Sequence, residues 1–346
     1  MVFENHTPFP AIAWENVDAQ ENWHVTTVAR VRYACEVDDE GQCSLKLHSD
    51  QGELFYEEGF YAMLGQSSVK FESDLVTFKP TTDIIVHAHA YIPSHRSYIE
   101  PRVSVSDATG GVWHRSALRV ASPYGVTDRP VSIPLRYEYA YGGGYPTPTE
   151  EDPYDYETLD PYNPIGRGVY DEHTPPAQRE EPLITFTDPD KASMPYPAGF
   201  GFIYKAWKSR LDYAGSYDEK WLEEQHPLPP HDYNYRFNQA ANPAMQLGRY
   251  LDLEDSITLE HLSIQYPTLQ IRLSDLVLFS QQHTPYSKQT FDAMHLDTLI
   301  IDIEAPDPSQ WSLYASYRSF APRHSQYHKV SCSLITQELL AGEDDG

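Results

Sequence analysis

The chain has 346 residues, and its 51 Asp and Glu outnumber its 25 Lys and Arg, for a formal net charge of -26 at pH 7. A polyanion repels nucleic-acid phosphates and anionic lipid headgroups, which argues against nucleic acid and membrane surfaces as partners. The same charge suits a basic protein partner, although many cytosolic proteins are simply acidic. Without an apolar run of roughly 20 residues or a signal-peptide pattern, we expect a cytoplasmic protein.

Cysteine is rare, with three copies at Cys35, Cys43 and Cys332. Their spacing is not that of a zinc site. We predict three reduced thiols, with the first and last buried in strands.

The first half of the chain has a β pattern. Short segments rich in β-branched and aromatic residues alternate with turn residues, which is typical of antiparallel sheet. The predicted strands are residues 24–33, 44–47, 83–92, 102–105, 112–120 and 131–139. Residues 107–111 have the composition of a hairpin connection between two of them.

The pattern changes at residues 142–182, which are crowded with Gly, Pro, Tyr and acidic residues and keep no helical or strand period. Such long loops are often functional or disordered. The tyrosines argue against full disorder. We therefore predict an ordered, irregular loop with a mobile part at residues 150–155.

The rest of the chain predicts short helices followed by strands. The helices are expected at residues 202–212, 219–225 and 234–247, the last interrupted near Pro243. Asp218 is placed to cap the second helix, and Trp221 and Leu222 are expected to face inward. Strands are predicted at residues 256–262, 268–273, 296–303 and 311–317.

These elements predict a mainly β protein whose antiparallel sheets form one or two sandwich-like units. Short helices are expected within residues 202–247, and the long irregular loop lies near residues 142–182. The expected organisation is a β-rich half at 1–141, the loop at 142–182 and a second half at 183–346. A single continuous domain remains the alternative.

Two histidines are the best metal candidates. His87 and His89 stand two apart in a predicted strand, so both would point to one face, with Asp83 in the same parity. Imidazole and carboxylate suit zinc or another divalent ion. Exposed histidines on a strand are common, however, and no further ligand is identifiable. We therefore predict no metal and no cofactor.

Other chemical motifs are incomplete. The carboxylates from Glu150 to Asp160 lack the glycine and the spacing of a calcium loop. The glycines that follow Tyr141 lack the Lys-Ser/Thr of a phosphate-binding loop. No nucleophile elbow and no His-Glu-x-x-His motif occurs. Dispersed catalytic residues are still compatible with this sequence.

A series of Pro-, Gly- and aromatic-rich motifs runs in order along the chain. They are Glu72-Ser73-Asp74-Leu75, Lys79-Pro80-Thr81-Thr82-Asp83, Pro134-Leu135-Arg136-Tyr137-Glu138-Tyr139-Ala140-Tyr141-Gly142-Gly143, Asn163-Pro164-Ile165-Gly166-Arg167-Gly168, Pro197-Ala198-Gly199-Phe200-Gly201, Trp207 with Arg210, Gly215-Ser216-Tyr217-Asp218 with Trp221, Pro230-His231-Asp232-Tyr233, Phe237-Asn238-Gln239-Ala240 with Gln246, and Leu296-Asp297-Thr298-Leu299-Ile300-Ile301-Asp302. This ordered set resembles a family long catalogued as a domain of unknown function, whose studied members are adaptors, or chaperones, for type VI secretion effectors.

The resemblance implies a non-enzymatic cytoplasmic protein. It would bind an effector through the effector's PAAR-like domain and help seat it on the spike protein of the secretion apparatus. The motif positions that we rank as candidate binding residues are Arg136, Glu138, Tyr141, Arg167, Phe200, Trp207, Arg210, Tyr217, Asp218 and Trp221. Arg136, Glu138, Arg167 and Trp221 could equally hold the long loop in place.

Two rival functions stay open at this point. One is a hydrolase or carbohydrate-active enzyme on a β scaffold, with acids such as Glu138 and Asp160 in a cleft. The other is a structural component of the secretion apparatus itself. A deep pocket with paired carboxylates would favour the enzyme, and a broad aromatic-lined surface would favour the adaptor.

Overall fold

The fold was obtained as a computed structural model, which describes residues 1–145, 158–273, 276–284 and 290–335. It confirms the predicted class, because the described chain is mainly β. The strands of the first half are β1 Val2–Asn5, β2 Ala11–Val17, β3 Trp23–Val37, β4 Gln42–Leu47, β5 Gly59–Phe60, β6 Val69–Phe71, β7 Asp83–His87, β8 His89–Ile92, β9 Tyr98–Ile99, β10 Arg102–Ser106, β11 Val112–Ala121, β12 Val131–Pro134, β13 Tyr141–Gly142 and β14 Gly144–Tyr145.

The remaining elements follow the long loop. The strands are β15 Thr158–Leu159, β16 Arg167–Gly168, β17 Ile184–Phe186, β18 Ser256–Glu260, β19 Thr268–Arg272, β20 Val277–His283, β21 Thr290–Ala293, β22 His295–Asp302, β23 Ser312–Pro322 and β24 Lys329–Ile335. The α-helices are α1 Pro189–Ala192, α2 Lys208–Leu211 and α3 Glu219–Glu224, and 3-10 turns occur at Tyr137–Tyr139, Pro176–Gln178, Tyr235–Asn238, Pro243–Met245 and Pro308–Gln310. Across these elements, no helix is long and apolar enough to cross a membrane.

One large sheet dominates the molecule. Its order is β17-β11-β10-β18-β19-β4-β3-β23-β22-β7, with β2 also paired to β3 and β9 to β11. Strands from the two halves of the sequence therefore alternate as hydrogen-bonded neighbours. Two of these contacts are parallel, between β22 and β7 and between β19 and β4, and they join segments far apart in the chain.

Strand β3 pairs with β2, β4 and β23 in this sheet and is covered on both faces. Successive side chains of a strand point to opposite faces. On one face, Arg30 binds Asp74 at 2.8 Å, and the Thr26 hydroxyl donates to the carbonyl of Thr77. On the other face, Thr27 is hydrogen-bonded to Ser280 at 2.7 Å. Polar side chains on both faces of this buried strand therefore bind to the segments that cover it.

The second cover is a small sheet of order β1-β24-β20-β21. It packs on the part of the large sheet formed by β2 and β3, where Ala13, Val25 and Val330 form a small buried cluster. Its β1 and β24 pair in parallel, so both ends of the described chain lie in one sheet. This stacking is the sandwich-like arrangement expected for the fold.

Local signals gave several correct elements. The predicted strand at 24–33 lies within β3, and the hairpin at 107–111 joins β10 to β11. The Asp107 carboxylate accepts the amide hydrogens of Thr109 and Gly111, which fixes the turn. Asp218 caps α3 by accepting the amide hydrogen of Trp221.

Other predicted elements were only partly correct. Residues 83–92 form two strands that pair with different partners, β7 with β22 and β8 with β12. Residues 131–139 end as a strand at Pro134 and continue as a 3-10 turn. The helix expected at 202–212 is reduced to α2, because Phe202 forms bridges with Val69 and Ala241. Leu222 is exposed rather than inward-facing.

The predicted reduced state of the three thiols was also wrong for two of them. Cys35 and Cys43 are joined by a disulfide, whereas Cys332 is a free, buried thiol. The pairing arises because β3 and β4 are antiparallel neighbours, with Cys35 opposite Leu45 and Val37 opposite Cys43. Sequence spacing alone did not show that the two strands form a hairpin.

The described part of the long loop is ordered around Asn163. The Asn163 side chain donates to the carbonyls of Tyr137 and Tyr141, at 2.9 and 2.8 Å. The backbone carbonyl of Asn163 accepts the amide hydrogen of Gly143 at 2.7 Å. Further along, the Pro161 carbonyl accepts the amide hydrogen of Lys208. The part expected to be mobile, residues 150–155, lies outside the described residues.

Candidate functional site

An open cleft of about 520 Å³ lies beside the segment that covers β3. Aromatic and charged side chains of distant segments line it. They include Tyr56, Glu57, Glu58, Glu72, Lys205, Arg210, Tyr217, Tyr233, Tyr235 and Phe237. We call this feature the aromatic cleft.

A buried ion pair forms part of the wall of the aromatic cleft. Arg210 donates from Nη1 to Glu72 Oε1 at 2.8 Å, and its Nε donates to the carbonyl of Phe237 at 2.9 Å. Both charged side chains are almost fully buried. Glu72 Oε2 is also buried but has no hydrogen-bond partner among the described residues. One acceptor of the pair therefore has no donor among the described residues.

The tyrosines of the cleft are held by their own contacts. Tyr233 donates to Asn238 at 3.0 Å, and its ring contacts Tyr235 edge-to-face. Burial raises the pKa of Tyr233, so its hydroxyl stays neutral and able to donate. Asn238 in turn donates to the carbonyl of Phe78 at 2.8 Å. This wall is therefore fixed to the segment that covers β3.

The predicted motif around Tyr217 forms the rim of the cleft. Ser216 donates through both its amide and its hydroxyl to Asp232, and these bonds lower the pKa of that carboxyl. Tyr217 is 58% exposed and contacts Trp221 edge-to-face at 4.7 Å. Trp221 is half-buried and donates to the carbonyl of Leu228 at 2.9 Å. Two of the sequence motifs thus meet and present the exposed ring of Tyr217.

A second charged pair lines the cleft. Lys205 donates to Glu58 at 2.5 Å. Burial raises the pKa of Glu58, but the hydrogen bonds that its carboxylate accepts and the charges of Lys205 and Arg210 together bring the pKa below its ordinary value. Both cationic side chains of the cleft, Lys205 and Arg210, are therefore already bound to carboxylates. Glu57 is exposed and adds a further negative charge.

Several predicted binding residues lie away from this cleft. Phe200 and Trp207 belong to the core, where Trp207 contacts Tyr137 edge-to-face at 5.5 Å. Arg136 stacks on the ring of Tyr61 at 3.7 Å and approaches Glu304 at 3.4 Å. These three residues have packing roles in the structure.

Glu138 and Arg167 hold neighbouring segments together. The Glu138 carboxylate accepts the amide hydrogen and the hydroxyl of Ser68, and Arg167 Nε donates to the Glu138 carbonyl at 2.9 Å. Asp160, the other acid considered for an enzyme, accepts the amide hydrogens of Tyr162 and Asn163. Glu138 therefore joins two distant segments, and Asp160 is engaged in a local turn.

Tyr141 lies at a second, smaller hollow of about 230 Å³. Asp160, Asn163 and the segment from Met194 to Ala198 also line this hollow. Of the ten candidate binding residues, Arg210 and Tyr217 line the aromatic cleft, and Asp218 and Trp221 adjoin it. Tyr56 and Glu57 were not among the candidates, because an exposed Tyr-Glu-Glu stretch is an ordinary surface pattern.

The two candidate metal ligands face different neighbours. The His87 ring is buried against Tyr61, Phe71 and Phe202, and neither ring nitrogen has a hydrogen-bond partner in the described chain. His89 is hydrogen-bonded to Ser132 at 2.8 Å. No group of three His, Cys, Asp or Glu able to hold a metal occurs in the described ranges.

The environment of His87 predicts a pH effect on stability. Burial, aided by the charges of Lys70 and Arg136, lowers the pKa of His87 to about 3. The unfolded chain binds a proton near pH 6.5, so acid favours unfolding between these values. We expect the free energy of unfolding to fall by about 1.4 kcal/mol per pH unit in that window from this residue.

The measurement is urea denaturation from pH 7 to pH 4 on the wild type and on His87→Phe. The phenylalanine keeps an aromatic ring against Tyr61, Phe71 and Phe202 but cannot be protonated. The variant should lose stability less steeply as the pH falls. Identical slopes for the two proteins would contradict the prediction.

Fold and site together define a mainly β protein with an open, aromatic, acid-lined cleft. The chain belongs to the DUF2169 family, described as "uncharacterized protein conserved in bacteria", whose model matches residues 20–314. Comparison with curated proteins and comparison with solved structures each gave no match.

Proposed function

We propose that this protein is a cytoplasmic adaptor, or chaperone, that binds a type VI secretion effector through the effector's PAAR-like domain. It would then help to load the effector onto the spike protein of the secretion apparatus. The identity of this partner rests on the ordered set of motifs through which the sequence resembles the effector adaptors. Membership of a bacterial family over most of the chain is consistent with it.

The observation that carries a binding function is the aromatic cleft. Its open form and its exposed tyrosine ring are suited to contact with another protein, because tyrosine offers a large, stiff surface with a polar tip. The motif residues around it are engaged in packing, caps and turns. They therefore keep the cleft in shape before a partner arrives, which lowers the entropic cost of binding.

The test is capture of the tagged full-length protein from its native cells, followed by mass spectrometry. We expect a PAAR-like effector to co-purify, and the spike protein to appear only in cells that contain that effector. Deleting the gene should reduce secretion or abundance of the effector. An unchanged effector in the deletion strain would contradict the proposal.

A further inference from the structure

The aromatic cleft has more negative than positive groups available to a partner. Its two cationic side chains are bound to Glu58 and Glu72. The exposed carboxylate of Glu57 is left over, as is one buried oxygen of Glu72. A partner group that fits these acceptors must donate hydrogen bonds and carry positive charge.

Glu72 is the observation that distinguishes this cleft from an ordinary acidic surface. Its side chain is 6% exposed, and Oε2 has no hydrogen-bond partner among the described residues. Leaving a buried carboxylate oxygen unpaired costs stability, so such atoms in folded proteins call for an explanation. A donor that enters the cleft would satisfy it.

The rings of the cleft suit the same kind of group. A guanidinium or ammonium is attracted to the face of a tyrosine ring, and more strongly where water is partly excluded. Tyr56 and Tyr217 are exposed, whereas Tyr233 and Tyr235 are more buried. The protein already uses such contacts elsewhere, for example with Arg136 over Tyr61 and Arg119 over Tyr98.

We infer that the aromatic cleft receives an arginine or lysine side chain from a basic segment of the partner protein. The positive group donates to Glu72 Oε2 and Glu57 and lies against the tyrosine rings. The net charge of -26 draws such a segment towards the protein, and the cleft selects where it binds. The inference deepens the proposed function and rests on it only for the name of the partner.

The experiment measures fluorescence anisotropy of a short labelled peptide of arginine, glycine and serine with the full-length protein, at physiological ionic strength. A peptide with glutamate in place of arginine is the matched probe. The arginine peptide should bind, and the glutamate peptide should not. Equal binding of both, or no binding of the arginine peptide, would overturn the inference.

Charge reversals separate the cleft from the general charge of the protein. Glu57→Lys should weaken binding of the arginine peptide about tenfold. Glu40→Lys changes the net charge equally, but Glu40 is exposed in the turn between β3 and β4. The cleft residues Asn16 and Val17 pair with the first residues of β3, whereas Glu40 follows its last residue, so Glu40 lies at the other end of the strand from the cleft. The control should stay within about twofold of the wild type, and equal weakening by both variants would refute the cleft as the binding site.

Tyrosine variants test the rings. Tyr217→Ala should weaken binding about fivefold, whereas Tyr217→Phe keeps the ring and should bind nearly as the wild type does. Tyr124→Ala is the control, since Tyr124 is 75% exposed and does not line the cleft. Equal affinities of Tyr217→Ala and the control would count against the inference.

The two proposals can fail separately. If the arginine peptide binds but no effector is captured from cells, the inference about the cleft stands and the proposed effector partner is rejected.

Discussion

Replacing Asp74 by alanine is expected to lower the free energy of unfolding by about 3–5 kcal/mol. The Asp74 carboxylate accepts from Arg30 Nη1, from the amide of Phe55 and from Ser316, each at 2.8 Å. Its loss leaves the Arg30 guanidinium buried without its counter-charge. Burial already lowers the pKa of Arg30, and Asp74 opposes that effect, so the cation depends on this partner.

The measurement is urea denaturation, with Glu36→Ala as the control. Glu36 and Lys46 form an ion pair at 3.6 Å in which both side chains are largely exposed. Solvent screens such a pair, and we expect its loss to cost less than about 0.5 kcal/mol. Ser316→Ala removes one hydrogen bond from the same carboxylate and should cost about 1 kcal/mol, which provides a readout if Asp74→Ala does not fold. Equal free energies of unfolding for Asp74→Ala and Glu36→Ala would disprove the expectation.

Replacing Gly143 by alanine is expected to cost about 3 kcal/mol, the sum of backbone strain and a steric clash. Gly143 has φ +85°, where side chains with a Cβ are disfavoured. A Cβ there would also stand 2.4 Å from the carbonyl oxygen of Gly166. That oxygen belongs to the backbone around Asn163, which the hydrogen bonds to Tyr137 and Tyr141 hold in place.

Gly110→Ala is the matched control for this experiment. Gly110 has φ +82°, but its added Cβ would meet no atom within 4 Å. Both variants therefore share the backbone strain of about 1 kcal/mol, and only Gly143→Ala adds the clash. Denaturation curves of the two variants should differ by about 2 kcal/mol, the size of an overpacking defect. Coincident curves would show that the turn around Asn163 shifts at little cost.

Sequence patterns predicted those parts of the fold that depend on neighbours in the chain. The core of β3, the turn at Asp107 and the cap at Asp218 are of this kind, because the residues that form them are a few positions apart. The helix expected at 202–212 was lost to long-range pairing, since Phe202 bridges Val69 and Ala241. Tertiary contacts override local propensity in this way.

The site was less predictable for the same reason. Glu72 and Arg210 are 138 positions apart, and nothing local in either segment indicates their pairing. The motif residues were recognisable, but their spacing could not show which support the fold and which line a cleft. Tyr217 and Phe200 illustrate this, because both lie in Gly-aromatic motifs, yet one is exposed and the other is fully buried.

The alternation of strands from the two halves has a consequence for synthesis on the ribosome. One edge of β3 pairs along most of its length with β23, from Ser312 opposite Ala34 to Pro322 opposite His24. The nascent chain must therefore grow for roughly 15–60 s after β3 emerges before that edge is covered. During this interval the unpaired backbone N–H and C=O groups along that edge are open to other nascent chains. Heterologous production at low temperature and with slow induction should accordingly give a higher yield of folded protein than fast production at high temperature.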